Sequence, residues 1–247
     1  MPRFKLTIEY DGTGFVGWQR QINGLSVQQV MEEAALAYCQ TKIIVHGAGR
    51  TDAGVHALAQ VAHVDLPRND DGRKVRDAFN AHLRPHPVAV IEAEEVSEDF
   101  HSRFQAIERS YVYRIVTRRA PVALEKNRAW WLPRDLNAVA MHEAAQRLVG
   151  QNDFTSFRAT ECQAKTPVKT LYSLDVERTG DTVEIRAQAR SFLHHQVRNM
   201  VGTLSLVGEG KWTADDVTDA LNAKSRPAGG PTAPPEGLYL AAVRYPD

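Results

Sequence analysis

The sequence predicts an α+β protein made of two similar α/β halves, with mostly antiparallel sheets that meet at a central cleft. Two observations support this prediction. Segments of alternating apolar residues mix with segments of helical periodicity, and a similar order of elements occurs on both sides of an acidic connector, residues 92–99. The domains predicted from this division are residues 1–105 and 106–247. A chain of 247 residues with 43% apolar composition is long enough to bury a large core.

The first half opens with a strand, because apolar residues from Phe4 to Tyr10 alternate with polar ones. A helix follows, for which Ser26 is the predicted N-cap and Gln29 is expected to reach back to it. The other elements predicted in this half are a short strand at 43–45 and a strand at 55–66 that follows a glycine-rich loop. A helix at 73–84 that stops before Pro85 and a buried strand at 88–91 complete it.

The second half opens with a strand in which alternate residues of 111–115 share one face. A later helix has a continuous apolar face, and its adjoining stripe is predicted to place His194 and Arg198 one turn apart. The other elements predicted here are a helix at 136–149, a hairpin at 174–187 and a short helix that Thr213 opens. An exposed loop rich in Pro and Gly at 226–237 and a closing strand at 238–245 complete the chain.

Composition and the start of the chain narrow the class of protein. No run of about eighteen apolar residues occurs, and residues from Met1 to Glu9 alternate charged with apolar side chains, where a signal peptide would need a continuous apolar stretch. We therefore expect a cytoplasmic protein. Cys39 and Cys162 have no Cys-x-x-Cys spacing, so each is expected to be a reduced thiol.

The basic residues are unevenly distributed, although the formal net charge is zero. Arginine supplies twenty-two of the thirty basic residues, and residues 101–134 hold eight basic against two acidic side chains, with Phe104, Tyr111 and Trp130 among them. Guanidinium groups bind phosphates and aromatic rings stack on bases, so this composition is typical of an RNA-binding segment. An arginine-rich solvated face has the same composition and is the alternative.

The stretch from Gly47 to Ala57 is the strongest candidate for chemistry. It places the Asp52 carboxylate two residues from the Arg50 guanidinium, in a loop with three glycines that allow another molecule to approach the backbone closely. The alternative interpretation is a side-chain-capped turn over residues 52–54 with no catalytic role. The loop sequence alone does not decide between them.

Arg198 interrupts an otherwise apolar helix face, and a buried guanidinium needs an acceptor to offset its desolvation. Asp52 is a candidate partner, and a nearby positive charge would keep that carboxylate ionised. A structural ion pair with another acid is the alternative.

Two further hypotheses belong to other function classes. A metal-dependent hydrolase would use Asp52, His56, His63, His194 and His195 as ligands, although neither Asp-x-x-x-His nor His-His is a specific ligand signature. A non-catalytic RNA-binding module would use only the basic segment and its aromatic residues. Loss of activity with a chelator would favour the hydrolase, and RNA binding without turnover would favour the module.

Six stretches form a set that is more specific than any single motif. They are Tyr10 to Gln19, Ala48 to Ala57, Phe100 to Phe104, Arg109 to Tyr113, Phe192 to Arg198 and Glu236 to Leu240. Together they resemble the TruA family of tRNA pseudouridine synthases, in the family's order and with no departure at the positions that matter.

The resemblance implies the pseudouridine synthase fold, in which the active cleft lies between two α+β halves. It also implies an isomerase without cofactor or metal, which converts uridines at positions 38 to 40 of the tRNA anticodon arm into pseudouridine. A homodimer that holds one tRNA across both subunits is implied as well.

The resemblance assigns roles to individual residues of this chain. Asp52 is the expected nucleophile or base, Arg50 the base-flipping residue, and Tyr111 the residue that stacks on the flipped base, with proton transfer as a further role. Arg198 is expected to pair with Asp52. The expected substrate-binding residues are those of the motifs and of the basic segment: Leu238, Gly49, Gly54, His56, Arg103, Arg109, Arg114 and His194.

Overall fold

The computed structural model describes residues 1–246 and divides the chain into two compact units. Unit 1 comprises Met1–Ile107 together with the end of the chain from Tyr239 onward, and unit 2 comprises Glu108–Leu238. The predicted domain division instead places the last strand with the second half. The division into domains of residues 1–105 and 106–247 stays a prediction.

Unit 1 contains strands that pair mostly antiparallel, together with two helices. The central strand β1 (Arg3–Tyr10) pairs antiparallel with β3 (His56–Asp65) on one side and with β4 (Val88–Val96) on the other. The two-residue strand β2 (His46–Gly47) pairs antiparallel with β3. The last strand, β10 (Leu238–Arg244), runs parallel to β3 and places Tyr239 opposite His56. The helices are α1 (Val27–Cys39) and α2 (Gly72–Leu83).

The periodicity of the sequence explains why these segments bury the faces that they do. Phe4, Leu6 and Ile8 alternate along β1 and are completely buried, and Met31 of α1 and Phe79 of α2 are buried as well. Full burial of one such side chain stabilises the fold by about 1.5–3 kcal/mol.

Three predictions for unit 1 need correction. Residues 43–45 do not form a strand, since β2 begins at His46 and Ile44 is exposed. The connector predicted at 92–99 is partly a strand, because β4 continues to Val96, and Glu94 on it pairs with Lys5 at 2.6 Å. Ser26 caps α1 as predicted, but the Gln29 side chain donates to Glu33 rather than back to Ser26.

The strands of unit 2 pair antiparallel, except for one short strand. Strand β5 (Glu108–Thr117) pairs with β9 (Thr182–Ala189), β9 with β8 (Val168–Thr179), and β8 with β7 (Gly150–Asp153). The short strand β6 (Trp130–Leu132) runs parallel to β5. The helices of this unit are α3 (Ala138–Ala145), α4 (Gln196–Gly208) and α5 (Ala214–Asn222). The α+β class with mostly antiparallel sheets is therefore confirmed.

The start of α4 differs from the prediction. The helix begins at Gln196, and His195 before it adopts a left-handed backbone conformation with φ 62°. The Gln196 side chain accepts a hydrogen bond from the Leu193 N–H at 2.9 Å, which stabilises this turn. His194 therefore lies outside the helix, and the predicted stripe of His194 with Arg198 is wrong.

The segment 226–237 is also less exposed than predicted. Its backbone is held against α4, since the Gly230 N–H donates to the Thr203 hydroxyl at 2.9 Å and the Ala233 N–H donates to the Arg198 carbonyl at 3.1 Å. Ala233 is buried. These bonds satisfy backbone groups that a solvated loop would leave to water.

No helix within residues 1–246 is both long enough and apolar enough to cross a membrane.

A histidine of unit 1 predicts a pH dependence of stability. The pKa of His63 is lowered to about 4, mainly by burial and in smaller part by the neighbouring His46, His101 and Arg3. An unfolded histidine has a pKa near 6.5, so between about pH 6.5 and 4 the unfolded chain binds a proton that the folded chain excludes. The free energy of unfolding should therefore fall by roughly 1–3 kcal/mol as the pH is lowered through this window.

Urea unfolding between pH 7 and pH 4 measures this effect. A His63→Gln variant should show a shallower decline with falling pH than the unsubstituted chain, whereas His82→Gln, at an exposed position on α2, should leave the slope unchanged. Parallel profiles for all three proteins would contradict the prediction.

Candidate active site

The turn that carries Asp52 is tight and depends on a glycine. The Val55 N–H donates to the Asp52 carbonyl at 3.1 Å, which closes a four-residue turn from 52 to 55. Gly54, at the third position, has φ +77°, close to the value that a type II turn requires there. Asp52 is thus the first residue of a β-turn and is half-buried.

The loop is held in place by the segment that follows β1. The Trp18 N–H donates to the Thr51 carbonyl at 3.1 Å, and the Gly54 N–H donates to the Phe15 carbonyl at 3.3 Å. The Tyr10 and Thr51 hydroxyls lie 2.7 Å apart. Burial raises the pKa of Tyr10 to about 12, so its hydroxyl stays protonated and available for hydrogen bonding.

A second set of bonds attaches the loop to β3. The Ala48 N–H donates to the Val61 carbonyl at 2.7 Å, and the Gln60 amide donates to the Gly49 carbonyl at 2.9 Å. Gln60 is completely buried, which leaves its amide little freedom. The backbone on both sides of Arg50 is therefore fixed, while the Arg50 side chain itself is exposed.

Sequence reasoning missed these supporting residues. Tyr10 and Trp18 lie in the first of the six family-like stretches, so that stretch contained a signal for them, but Gln60 lies outside all six. Gln60 lies on β3 and contacts Gly49, eleven positions earlier in the chain. The periodicity of the sequence does not reveal such a contact.

His56, a predicted substrate-binding residue, has structural contacts in unit 1. It is buried, its ring stacks on Tyr239 at 4.7 Å between centroids, and the Gly12 N–H donates to its Nδ1 at 3.0 Å. The Asp11 carboxylate lies 3.2 Å from the same nitrogen. The contact of His56 with substrate stays a prediction.

In unit 2, Tyr111 lies on β5 with its ring almost entirely covered. Its exposed fraction is 9%, and its ring meets Phe192 edge-on at 5.1 Å and 87°. Tyr113 on the same face is buried, which raises its pKa well above the usual value, and its hydroxyl donates to the Pro234 carbonyl at 2.8 Å. Tyr113 is thus a structural residue.

Arg198 projects from the first turn of α4 and is half-buried. Its Nε donates to the Ala233 carbonyl at 2.8 Å. This hydrogen bond within unit 2 offsets part of the free-energy cost of removing the guanidinium from water. His194 is exposed and its ring lies 4.0 Å from that of His195. Leu238, the first residue of β10, is buried.

The three arginines expected to bind RNA differ in accessibility. Arg109 is buried and donates to the Arg190 carbonyl at 2.6 Å. Arg114 is half-buried and pairs with Glu184 at 3.2 Å, whereas Arg103 is exposed. Their contact with RNA stays a prediction.

His63, one of the residues in the metal hypothesis, is bound to its own unit. The Ser102 N–H donates to its Nδ1 at 3.2 Å, and the Ser102 hydroxyl lies 2.9 Å from the same nitrogen. That nitrogen is therefore engaged within unit 1.

The fold and the loop define an α+β protein that holds one carboxylate and one guanidinium on a rigid, glycine-containing turn. A family model described as tRNA pseudouridine synthase matches residues 6–105 and 144–246. The chain belongs to this family.

Full-length relatives agree with the family model. Proteins named tRNA pseudouridine synthase A from Paramagnetospirillum magneticum, Rhodospirillum rubrum and Rhodospirillum centenum are 61%, 61% and 63% identical to this chain. The matches cover 99%, 100% and 99% of this chain and 96%, 88% and 100% of those proteins. The similarity therefore extends along both units.

Proposed function

We propose that this protein is an isomerase that converts uridine into pseudouridine at positions 38, 39 and 40 in the anticodon stem-loop of tRNAs. Family membership supports the isomerisation of tRNA uridine. The strongest support is that three proteins named tRNA pseudouridine synthase A are more than 60% identical to this chain over 99% or more of its length. The metal-dependent hydrolase and the non-catalytic RNA-binding module are not favoured. A cytoplasmic homodimer is part of the proposal.

The reaction needs one well-placed carboxylate. The N-glycosidic bond breaks, the uracil turns, and a C–C glycosidic bond forms between C1′ and C5, with no net oxidation and no group lost. The Asp52 carboxylate either adds to the oxocarbenium-like C1′ or removes the C2′ proton to give a glycal. Both routes require the ionised carboxylate, and neither requires a redox or energy cofactor.

The target base must first leave the stack of the anticodon arm, which costs a few kcal/mol. The exposed Arg50 guanidinium, on backbone fixed by Gln60 and Ala48, is the group that fills the space left by the base. Tyr111 stacks on the extruded uracil and Leu238 lines its pocket. Arg198 pairs with Asp52 in this proposal and keeps its carboxylate ionised.

Incubation with an unmodified tRNA transcript in the presence of a chelator tests the function. Pseudouridine mapped to positions 38 to 40 is the expected result. Binding without product would favour the RNA-binding module, and loss of activity specifically with chelator would favour the hydrolase. Sedimentation of the free protein measures the proposed homodimer separately, and a monomer would overturn that part alone.

Tyr111→Phe tests what the Tyr111 hydroxyl contributes. If stacking is the main role, the phenyl ring retains it and turnover should fall by less than about tenfold. If the hydroxyl transfers a proton at C5, a loss of about a hundredfold or more is expected. Tyr113→Phe is the matched control, since that hydroxyl donates to a backbone carbonyl and its loss should lower stability more than turnover.

A further inference from the structure

Unit 1 carries a series of aromatic rings that begins in the core and ends at the surface. His46 stacks on His63 at 4.8 Å and 17°, and His101 meets His63 at 4.7 Å. Phe104 packs on His101 at 4.3 Å. These four residues form the ring cluster. His63 is buried and His101 half-buried, so the cluster has a fixed base.

Phe104, at the outer end of the ring cluster, is unusually exposed. Its exposed fraction is 71%, whereas the other seven phenylalanines are buried or half-buried. The Arg103 guanidinium lies 5.8 Å from the centre of its ring. The contacts with His101 and Arg103 leave most of the ring in water, so one face of it is available to stack on another molecule.

The turn that presents Phe104 is rigid. The Gln105 N–H donates to the His101 carbonyl, and the His101 N–H donates to the Gln105 side chain, both at 3.1 Å. The Arg103 N–H donates to the His101 Nδ1 at 3.2 Å, and the Gln105 amide donates to the Asp99 carbonyl at 3.0 Å. A surface fixed in this way binds a partner without the entropic cost of ordering.

The charge around the ring cluster favours an anionic partner. Burial lowers the pKa of His101, and the nearby His46, Arg3 and Arg103 lower it further. The Glu98 and Asp99 carboxylates also act on Arg3. The nearby Asp65 carboxylate is already paired with Arg3 at 2.7 Å. The exposed Arg103 guanidinium is the cation beside the Phe104 ring that can bind a phosphate.

We propose that Phe104 is a stacking platform for an unpaired base of the RNA substrate, with Arg103 contacting an adjacent phosphate. The inference rests on the proposed function, because it assigns a binding residue to the same tRNA. A flat π-face beside a guanidinium matches a nucleobase joined to its phosphate, and stacking tolerates any base. A protein partner would need a broader apolar patch than one ring surrounded by polar and basic groups.

Fluorescence anisotropy with a labelled, unmodified tRNA transcript tests the platform. Phe104→Ala and Phe104→Leu should weaken binding by about tenfold, while Phe104→Tyr should keep it, because tyrosine alone of the three retains a π-face. Tyr172→Ala is the matched control, since Tyr172 is an exposed aromatic residue on β8 outside the ring cluster, and binding should not change. Thermal unfolding confirms that each variant is folded.

The salt dependence of binding separates the two roles. Phe104→Ala should keep the slope of log affinity against log salt, whereas Arg103→Gln should make it shallower by roughly 0.7–0.9, as expected for one lost phosphate contact. Equal affinities for Phe104→Ala and the unsubstituted chain would overturn the inference. So would a Phe104→Ala protein that sediments as a smaller species, because that would identify a contact between copies. Pseudouridine formation by the unsubstituted chain is measured separately. A failure of the proposed function can therefore be distinguished from a failure of the inference about Phe104.

Discussion

Asp52→Asn is expected to abolish turnover while tRNA affinity stays within about twofold of that of the unsubstituted chain. The amide keeps the size and most of the hydrogen bonding of the carboxylate but removes its charge. It can neither add to C1′ nor accept the C2′ proton, so both routes fail. Loss of a reacting group typically lowers turnover by a factor on the order of 10⁴ or more.

The measurement is single-turnover formation of pseudouridine, with tRNA affinity measured in parallel. Asp52 is half-buried at the first position of a turn closed by backbone atoms, so the substitution should change the free energy of unfolding by less than about 1 kcal/mol. Asp175→Asn, at a half-buried position on β8, is the matched control and should turn over normally. Substantial turnover by Asp52→Asn would move the chemistry to another group.

Most secondary structure could be predicted because one side of each element faces a core. Alternation from Phe4 to Tyr10 corresponds to β1, and the capping residues Ser26 and Thr213 correspond to the starts of α1 and α5. The prediction failed at the start of α4, where apolar spacing continues back to Leu193 although His195 has left the helical conformation. Apolar periodicity shows which residues are buried but not the backbone conformation that buries them. A turn that buries Leu193 therefore gives the same spacing of apolar residues as a helix that buries it.

The sequence was sufficient to select the candidate loop, but not to identify the residues that support it; the catalytic roles in the loop stay predictions. Asp52 and Arg50 lie on a loop whose glycines are visible in the sequence. Gln60 lies on a strand outside that loop, and its hydrogen bond to Gly49 has no periodic signal in the sequence. The basic segment shows the same limit. Composition could not distinguish Arg109, which is buried against the Arg190 carbonyl, from Arg103, which is exposed, because that difference is set by the tertiary structure.

Gly49 and Gly54, two of the three glycines of the loop, are expected to respond differently to valine. Gly54 has φ +77°, a conformation that costs an L-residue about 1–2 kcal/mol and a β-branched one more, so Gly54→Val should lower both stability and turnover. At Gly49 a Cβ atom would meet no atom within 4 Å. Gly49→Val should therefore leave the free energy of unfolding within about 0.5 kcal/mol of that of the unsubstituted chain.

Turnover by Gly49→Val should nevertheless fall by at least about tenfold, because the space beside Gly49 is the space into which the proposed function brings an extruded nucleotide, and misplacement by about 1 Å can cost a hundredfold. Gly180→Val is the control for strain alone, since Gly180 has φ +57°, an open Cβ position and a location in the turn between β8 and β9. It should lose stability and keep its turnover below its unfolding temperature. Thermal unfolding and single-turnover assays on the three variants separate these effects. Full activity in Gly49→Val would mean that the nucleotide does not approach the side of the loop on which Gly49 lies. Asp52 would then have to react with a nucleotide bound on the other side of the loop.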